Sequence, residues 1–241
     1  MAQLEVYRIE HDQLDESAGT AVLTGDEAHH LLRVRRATSG DRVMLIDGHG
    51  TAWAAELREV DGKTALFSMD ERFDSWREPP VQVHLGLAIL KGDHWFAALD
   101  GCVQAGVHEV TPLTSERSIA GWKDNKAVRA DRRSLEAAKQ CGRGCVPPVH
   151  PVQPLVRWCI QVADATHKLI AEPGGEPLPT LIPGETAAVA IGPEGGFSDA
   201  ELEQFAEHRF ARVDLGPRRF RAEMAAMVSV ARLIGLAESA T

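Results

Sequence analysis

Two short bends built from glycine and proline constrain this chain more than any other feature. Ile191-Gly192-Pro193-Glu194-Gly195-Gly196-Phe197 ends the apolar run from Ala187 to Ile191 and leads into an acidic, capped helical pattern. Leu215-Gly216-Pro217-Arg218 ends a second apolar run from Ala211, and Arg219-Phe220-Arg221-Ala222-Glu223 then opens a long apolar helix. Turns with so little side-chain bulk let main-chain N–H and C=O groups approach a flat polar ligand. Two of them at neighbouring strand ends predict a small-molecule pocket at the carboxyl edge of a parallel sheet.

The chain around these bends falls into two patterns. Residues 1–76 read as a β-rich module: a short helix opens at Gly25-Asp26-Glu27, and strands follow at Arg42 to Ile46, Ala52 to Val60 and Thr64 to Met69. Their connections, Asp47-Gly48-His49-Gly50 and Asp61-Gly62-Lys63, carry aspartate-glycine hairpin signals. Pro79-Pro80 stops helix and central strand alike, so a domain boundary is placed just before it and residues 77–241 form the second domain. There, strands at Val81 to Leu90, Val107 to Leu113, His167 to Ala171, Ala187 to Ile191 and Ala211 to Leu215 alternate with helices, which predicts α/β architecture with a parallel sheet. The helices run from Asp93 to Ala105, Arg129 to Gln140, Ser198 to Glu207 and Met224 to Leu236, and the loop Pro173 to Gly184 reads as a lid beside the pocket.

No apolar run approaches membrane-spanning length and the charged N-terminus lacks a signal-peptide core, which points to a cytoplasmic protein without membrane contact. The four cysteines read as reduced thiols, and their spacing predicts no metal site. A net charge of −9 argues against indiscriminate nucleic-acid binding. Three basic groups stand out against it: Arg33, Arg35, Arg36 and Arg42; Arg129, Arg132, Arg133, Lys139 and Arg143; and Arg209, Arg212, Arg218, Arg219 and Arg221. Each could be a solvated helix face; together they favour a localised polyanion site.

Six ordered motifs carry a resemblance to a known family. The Gly-Pro-Glu-Gly-Gly-Phe-Ser stretch, the Leu-Gly-Pro-Arg turn with Arg-x-Glu, Lys91-Gly92-Asp93, Pro112-Leu113 with Ser115-Glu116-Arg117-Ser118, Glu136 to Arg143, and His29 to Arg36 with Gly40-Asp41 are similar to the RsmE family of 16S rRNA uridine N3-methyltransferases. The resemblance implies a PUA-like β-barrel joined to a SPOUT α/β domain with a deep C-terminal trefoil knot, S-adenosylmethionine as methyl donor, 16S rRNA or the small ribosomal subunit as partner, and a homodimer. Departures fall at His94, where the family usually has arginine, at Asp100-Gly101, Gln104 and Ala105, and at Ala222 and Met224.

On this resemblance the donor is expected against Ile191, Gly192, Pro193, Glu194, Gly195, Gly196, Leu215, Gly216, Pro217 and Phe220. The uracil imide must lose a proton to become a nucleophile. Arg221 is assigned to stabilise the resulting charge, and Glu223 either to orient Arg221 or to act as base; an ion pair of purely structural value at a helix start is the plainer reading. Arg8, His30, Arg33 and Arg36 are expected to contact RNA phosphates. A SPOUT enzyme acting on another RNA and a non-catalytic RNA-binding assembly factor stay open. A dinucleotide-dependent dehydrogenase is the weakest reading, because Gly192 to Gly196 lacks the spaced glycine fingerprint.

Overall fold

The computed structural model describes residues 4–118 and 121–239. The chain divides into two compact units, one of Met1–Glu78 with Ala138–Val146 and one of Pro79–Ala137 with Pro147–Thr241.

The first unit is a six-stranded sheet. Its strands are β1 (Val6–Arg8), β2 (Leu14–Asp15), β3 (Thr20–Leu23), β4 (Arg42–Ile46), β5 (Ala52–Asp61) and β6 (Thr64–Phe73), in the order β1-β4-β5-β6-β3-β2. β1 pairs parallel with β4, and the remaining pairings are antiparallel. Asp47 shapes the β4–β5 turn: its Oδ1 accepts the amides of His49 at 2.7 Å and Thr51 at 3.0 Å. Helix α1 (Gly25–His29) runs on into a wider π-helical turn, His30–Val34, whose Leu31 is buried against Tyr7, Leu45, Trp53 and Phe67. That burial is what holds so short a helix in place, since a helix of this length has no stability of its own.

The second unit contains β7 (Gln82–Ala88), α2 (His94–Gln104), β8 (Glu109–Thr114), α3 (Asp124–Cys141, whose last residues belong to the first unit), β9 (Gln153–Pro154), α4 (Leu155–Gln161), β10 (His167–Pro177), β11 (Thr186–Ile191), α5 (Asp199–Glu207), β12 (Ala211–Asp214) and α6 (Ala222–Glu238). Its sheet has the order β12-β10-β11-β7-β8-β9, and every pairing is parallel. Parallel strands are covered on both faces, which is why Ala187 to Ile191 is apolar throughout and buried throughout. α6 packs on α2, β7 and β11.

The stretch expected as a lid is instead half strand. Residues 173–177 continue β10, and after a register shift between Ala171 and Glu176 its Glu176 and Pro177 pair with Val213 and Asp214 of β12. Gly175 permits this: a Cβ there would lie 2.5 Å from the Arg212 carbonyl carbon, so only glycine lets the two backbones meet. Beyond it Leu181 is fully buried and pins the remaining loop. Proline and glycine in this segment serve a bulged strand rather than a mobile cover.

Candidate active site

The first bend follows Ile191 at the carboxyl end of β11. Gly196 lies in the left-handed region at φ +70° and donates its amide to the Pro193 carbonyl at 2.9 Å. The Phe197 ring closes against Gly192, where a Cβ would stand 3.2 Å from Cδ2. Ser198 then caps α5 in a reciprocal box with Glu201. Glu201 does more than cap: one carboxylate oxygen takes the Ser198 amide at 2.8 Å and the Ser115 hydroxyl at 3.3 Å, and the other takes the Glu116 amide at 2.9 Å. Arg117 of the same post-β8 loop donates Nη1 to the carbonyls of Gly195 at 3.0 Å and Phe197 at 3.1 Å. The glycine turn is therefore held from outside by the loop after β8.

Asp214 builds the second bend at the end of β12. Its Oδ1 accepts the Gly216 amide at 2.6 Å and its Oδ2 the Gly174 amide at 2.7 Å. These two bonds, Gly174 first, hold its carboxyl below the usual range. Gly216 adopts φ +105°, and the Leu215 carbonyl accepts from Arg232 Nη1 at 2.8 Å. Several backbone groups at the bends are thus committed to the turns themselves.

Both bends open on one cavity of about 1090 Å³ outside the carboxyl ends of the strands. Every residue assigned above to donor binding or to catalysis lines it. No atom lies within 4 Å of the Cβ position at Gly196 or Gly216, so the backbone there faces open space. Arg218, Arg219 and Arg221 give the cavity exposed cations, and among the described residues none of them has an ion-pair partner. Glu172, a half-buried carboxylate with no hydrogen-bond partner among the described residues, sits within it, and burial pushes its pKa up against the pull of Arg212 and Arg117.

Glu194 Oε1 accepts the Lys91 amide at 3.1 Å, which ties the first bend to the loop after β7. Glu223 is paired with His94, Oε1 to Nδ1 at 3.2 Å, and not with Arg221. The departures at Asp100 and Gly101 are matters of packing: Asp100 pairs with Arg133, and a Cβ at position 101 would stand 2.9 Å from Met227 Sδ.

The second basic group is dispersed into pairs: Arg129 with Asp93, Arg132 with Glu136, Arg133 with Asp100, Lys139 with Glu27 and Arg143 with Glu78. In the first unit, His30, Arg33 and Arg36 are exposed along one stretch, and neither arginine has an ion-pair partner among the described residues. Arg8 stands apart at the end of β1, its Nε 3.4 Å from Glu10, and is only partly exposed. Lys139 was not among the sequence-chosen contacts, yet with Tyr7 and His30 it lines a small hollow of this unit. Arg117, Glu172, Asp214 and His94 were missed at the main cavity; only Asp214, an aspartate two residues before a glycine, carried a local signal.

Comparison with known proteins finds matches in both parts of the chain. An RNA methyltransferase domain matches residues 77–234, and an RNA methyltransferase PUA domain matches residues 23–69. The ribosomal RNA small subunit methyltransferase E of Synechocystis is 31% identical over 91% of this chain and 74% of its own length. Its namesake in Bacillus subtilis is 28% identical over 90% of this chain and 91% of its own. The crystal structure of the Neisseria gonorrhoeae ribosomal RNA small subunit methyltransferase E bound to S-adenosylmethionine superposes with a TM-score of 0.87 at 26% identity, over 98% of each chain. With two bends at one sheet edge and these matches across nearly its whole length, the chain belongs to the ribosomal RNA small subunit methyltransferase E family.

Proposed function

We propose that this protein transfers a methyl group from S-adenosylmethionine to N3 of a specific uridine in the 16S rRNA of the small ribosomal subunit. The observation that carries the reading is the convergence of both glycine bends on one cavity bordered by Arg218, Arg219 and Arg221, which have no ion-pair partner among the described residues. That cavity suits the donor. Its volume of about 1090 Å³ lies just above the usual range for small-molecule sites, about 300–1,000 Å³, and leaves room for a donor and part of an acceptor. Ile191, Leu215 and Phe220 offer apolar walls to a nucleoside, Gly196 and Gly216 leave open space before their backbone, and the unpartnered Glu172 suits a cationic group. When bound, S-adenosylmethionine supplies an electrophilic methyl carbon.

The chain's own residues position and prepare the acceptor. Arg221 stands at the N-cap position of α6, and among the described residues its guanidinium has no ion-pair partner, so it can stabilise charge developing on a uracil oxygen as N3 loses its proton. Glu223, in the first turn of the same helix, contributes to that proton's removal. Arg8, His30, Arg33 and Arg36 of the N-terminal domain, taken as residues 1–76, contact RNA phosphates, and residues 77–241 form the catalytic domain. Closure of the first sheet into a barrel, threading of the C-terminal segment as a trefoil knot, and homodimerisation complete the reading; its substrate puts the enzyme at work in the cytoplasm.

Mapping uridine methylation in ribosomal RNA from a strain lacking this protein, with and without its restoration, tests the reading. A single uridine that loses its N3 methyl and regains it with this chain is expected. Unchanged methylation, or restoration of a different nucleotide, would overturn it.

A further inference from the structure

We propose that His94 takes the N3 proton of the target uracil and that Glu223 holds it in position to do so. This rests on the methyltransferase reading above and deepens it. His94 is the first residue of α2 and Glu223 lies in the first turn of α6, and the two helices pack together. Glu223 Oε1 stands 3.2 Å from His94 Nδ1, and both side chains line the donor cavity. The carboxylate is 17% exposed and the imidazole 48%, so Glu223 is the anchored partner and His94 the one within reach of a ligand. A carboxylate that accepts from Nδ1–H fixes the tautomer and leaves Nε2 as the basic nitrogen.

An imidazole is also the better base for this acceptor. In model peptides it is stronger than a carboxylate by about two pH units, and a base nearer the operating pH transfers protons more effectively. The step balances as a displacement. The N3–H bond breaks and its proton passes to His94 Nε2; the electron pair left on N3 forms the bond to the methyl carbon, whose bond to sulfur breaks with its pair remaining on sulfur. The half-exposed imidazolium then returns its proton to solvent. Arg221, in the same cavity, is left free for the uracil oxygen.

The groups around His94 are mixed in sign. Asp93 precedes it and is tied to Arg129 of α3 at 2.8 Å, and Lys91 lies in the preceding loop. Glu194 of the first bend and Arg221 with Glu223 of α6 line the cavity beside it. Of these, Glu223 alone has a direct contact with the ring among the described residues. Its removal therefore gives the cleanest change in how the ring is held.

The test combines two measurements on the full-length protein. NMR of the His94 ring nitrogens in the free protein reads the tautomer with and without Glu223→Gln. Single-turnover methylation of small-subunit RNA as a function of pH is compared for wild type, His94→Gln and Glu223→Gln, with S-adenosylmethionine affinity measured by calorimetry as a check on folding. Wild type should lose rate as the medium becomes acidic, and His94→Gln should lose about a hundredfold at neutral pH together with that acid limb, with donor affinity retained. Glu223→Gln should lower the rate and mix the ring tautomers while leaving donor affinity unchanged. A His94→Gln enzyme with the wild-type rate and acid limb overturns the proposal, as do a ring tautomer and a rate both indifferent to Glu223→Gln. Wild-type protein that methylates no uridine overturns the underlying reading instead, an outcome the two mutant comparisons cannot mimic.

Discussion

Glu201→Ala should damage the glycine turn without touching the cavity. The carboxylate is buried, at 8% residue exposure, and accepts from the Ser198 amide, the Ser115 hydroxyl and the Glu116 amide at 2.8, 3.3 and 2.9 Å. Bonds to an ionised acceptor contribute about 1.5–3 kcal/mol each, but one deletion does not remove their sum, because the exposed Glu116 amide can turn to water. The Ser198 amide, in a residue only 6% exposed, is left without its partner at a cost of about 1–3 kcal/mol. A total loss of about 3 kcal/mol follows, well above the roughly 1 kcal/mol typical of a simple cap deletion such as Ser198→Ala. Urea unfolding of both variants, read as the midpoint shift at unchanged slope, measures the difference. Calorimetry should also show weakened S-adenosylmethionine binding in Glu201→Ala, since the post-β8 loop that Glu201 fixes carries Arg117 to the carbonyls of Gly195 and Phe197. If Glu201→Ala costs no more than Ser198→Ala and binds donor as wild type does, the loop does not brace the turn.

Three further outcomes are expected. Gly216→Ala forces a side chain into φ +105° and should cost about 1–3 kcal/mol with weaker donor binding, whereas Gly195→Ala, whose Cβ would sit an ordinary 3.5 Å from Arg117, should fold as wild type does; equal unfolding midpoints for the two would refute the distinction. Burial raises the Glu109 carboxyl, but bonds to His84 at 2.7 Å and His150 at 3.0 Å outweigh it and hold the pKa at about 2. A depressed folded-state pKa contributes stability above the unfolded value of 4.5 that disappears as pH falls towards 2, up to about 3 kcal/mol, so Glu109→Gln should flatten acid unfolding across that window. Arg33→Ala and Arg36→Ala should each weaken RNA binding and lower its salt slope by about one; unchanged slopes would remove them from the phosphate contacts.

What could be read from the sequence was whatever is encoded locally. The bends, the strand Arg42–Ile46 and the Ser198 cap each follow from a few adjacent residues, and the structure has them where those residues predict. β1, β2 and β9 went unseen because two or three residues cannot display an alternating pattern, and α4 because seven residues give too little periodicity. β10 was cut short at Pro173-Gly174-Gly175 because those residue types punctuate loops, and only the partner strand shows why glycine is needed. At the cavity, the backbone was legible and its supports were not. Arg117, Asp214 and Glu201 act on turns far away in sequence or by a second hydrogen bond hidden behind a familiar cap. The same distance hid the neutralisation of Arg129, Lys139 and Arg143 by acids elsewhere in the chain.

A crystal structure of this protein grown with S-adenosylmethionine puts the main claim to its most direct trial. Donor density is expected in the cavity, its nucleoside between the backbone of Gly192–Gly196 and that of Leu215–Phe220 and its methyl group open towards Arg221 and His94. Density elsewhere on the molecule, or a donor in the cavity with its methyl turned away from both side chains, would contradict it.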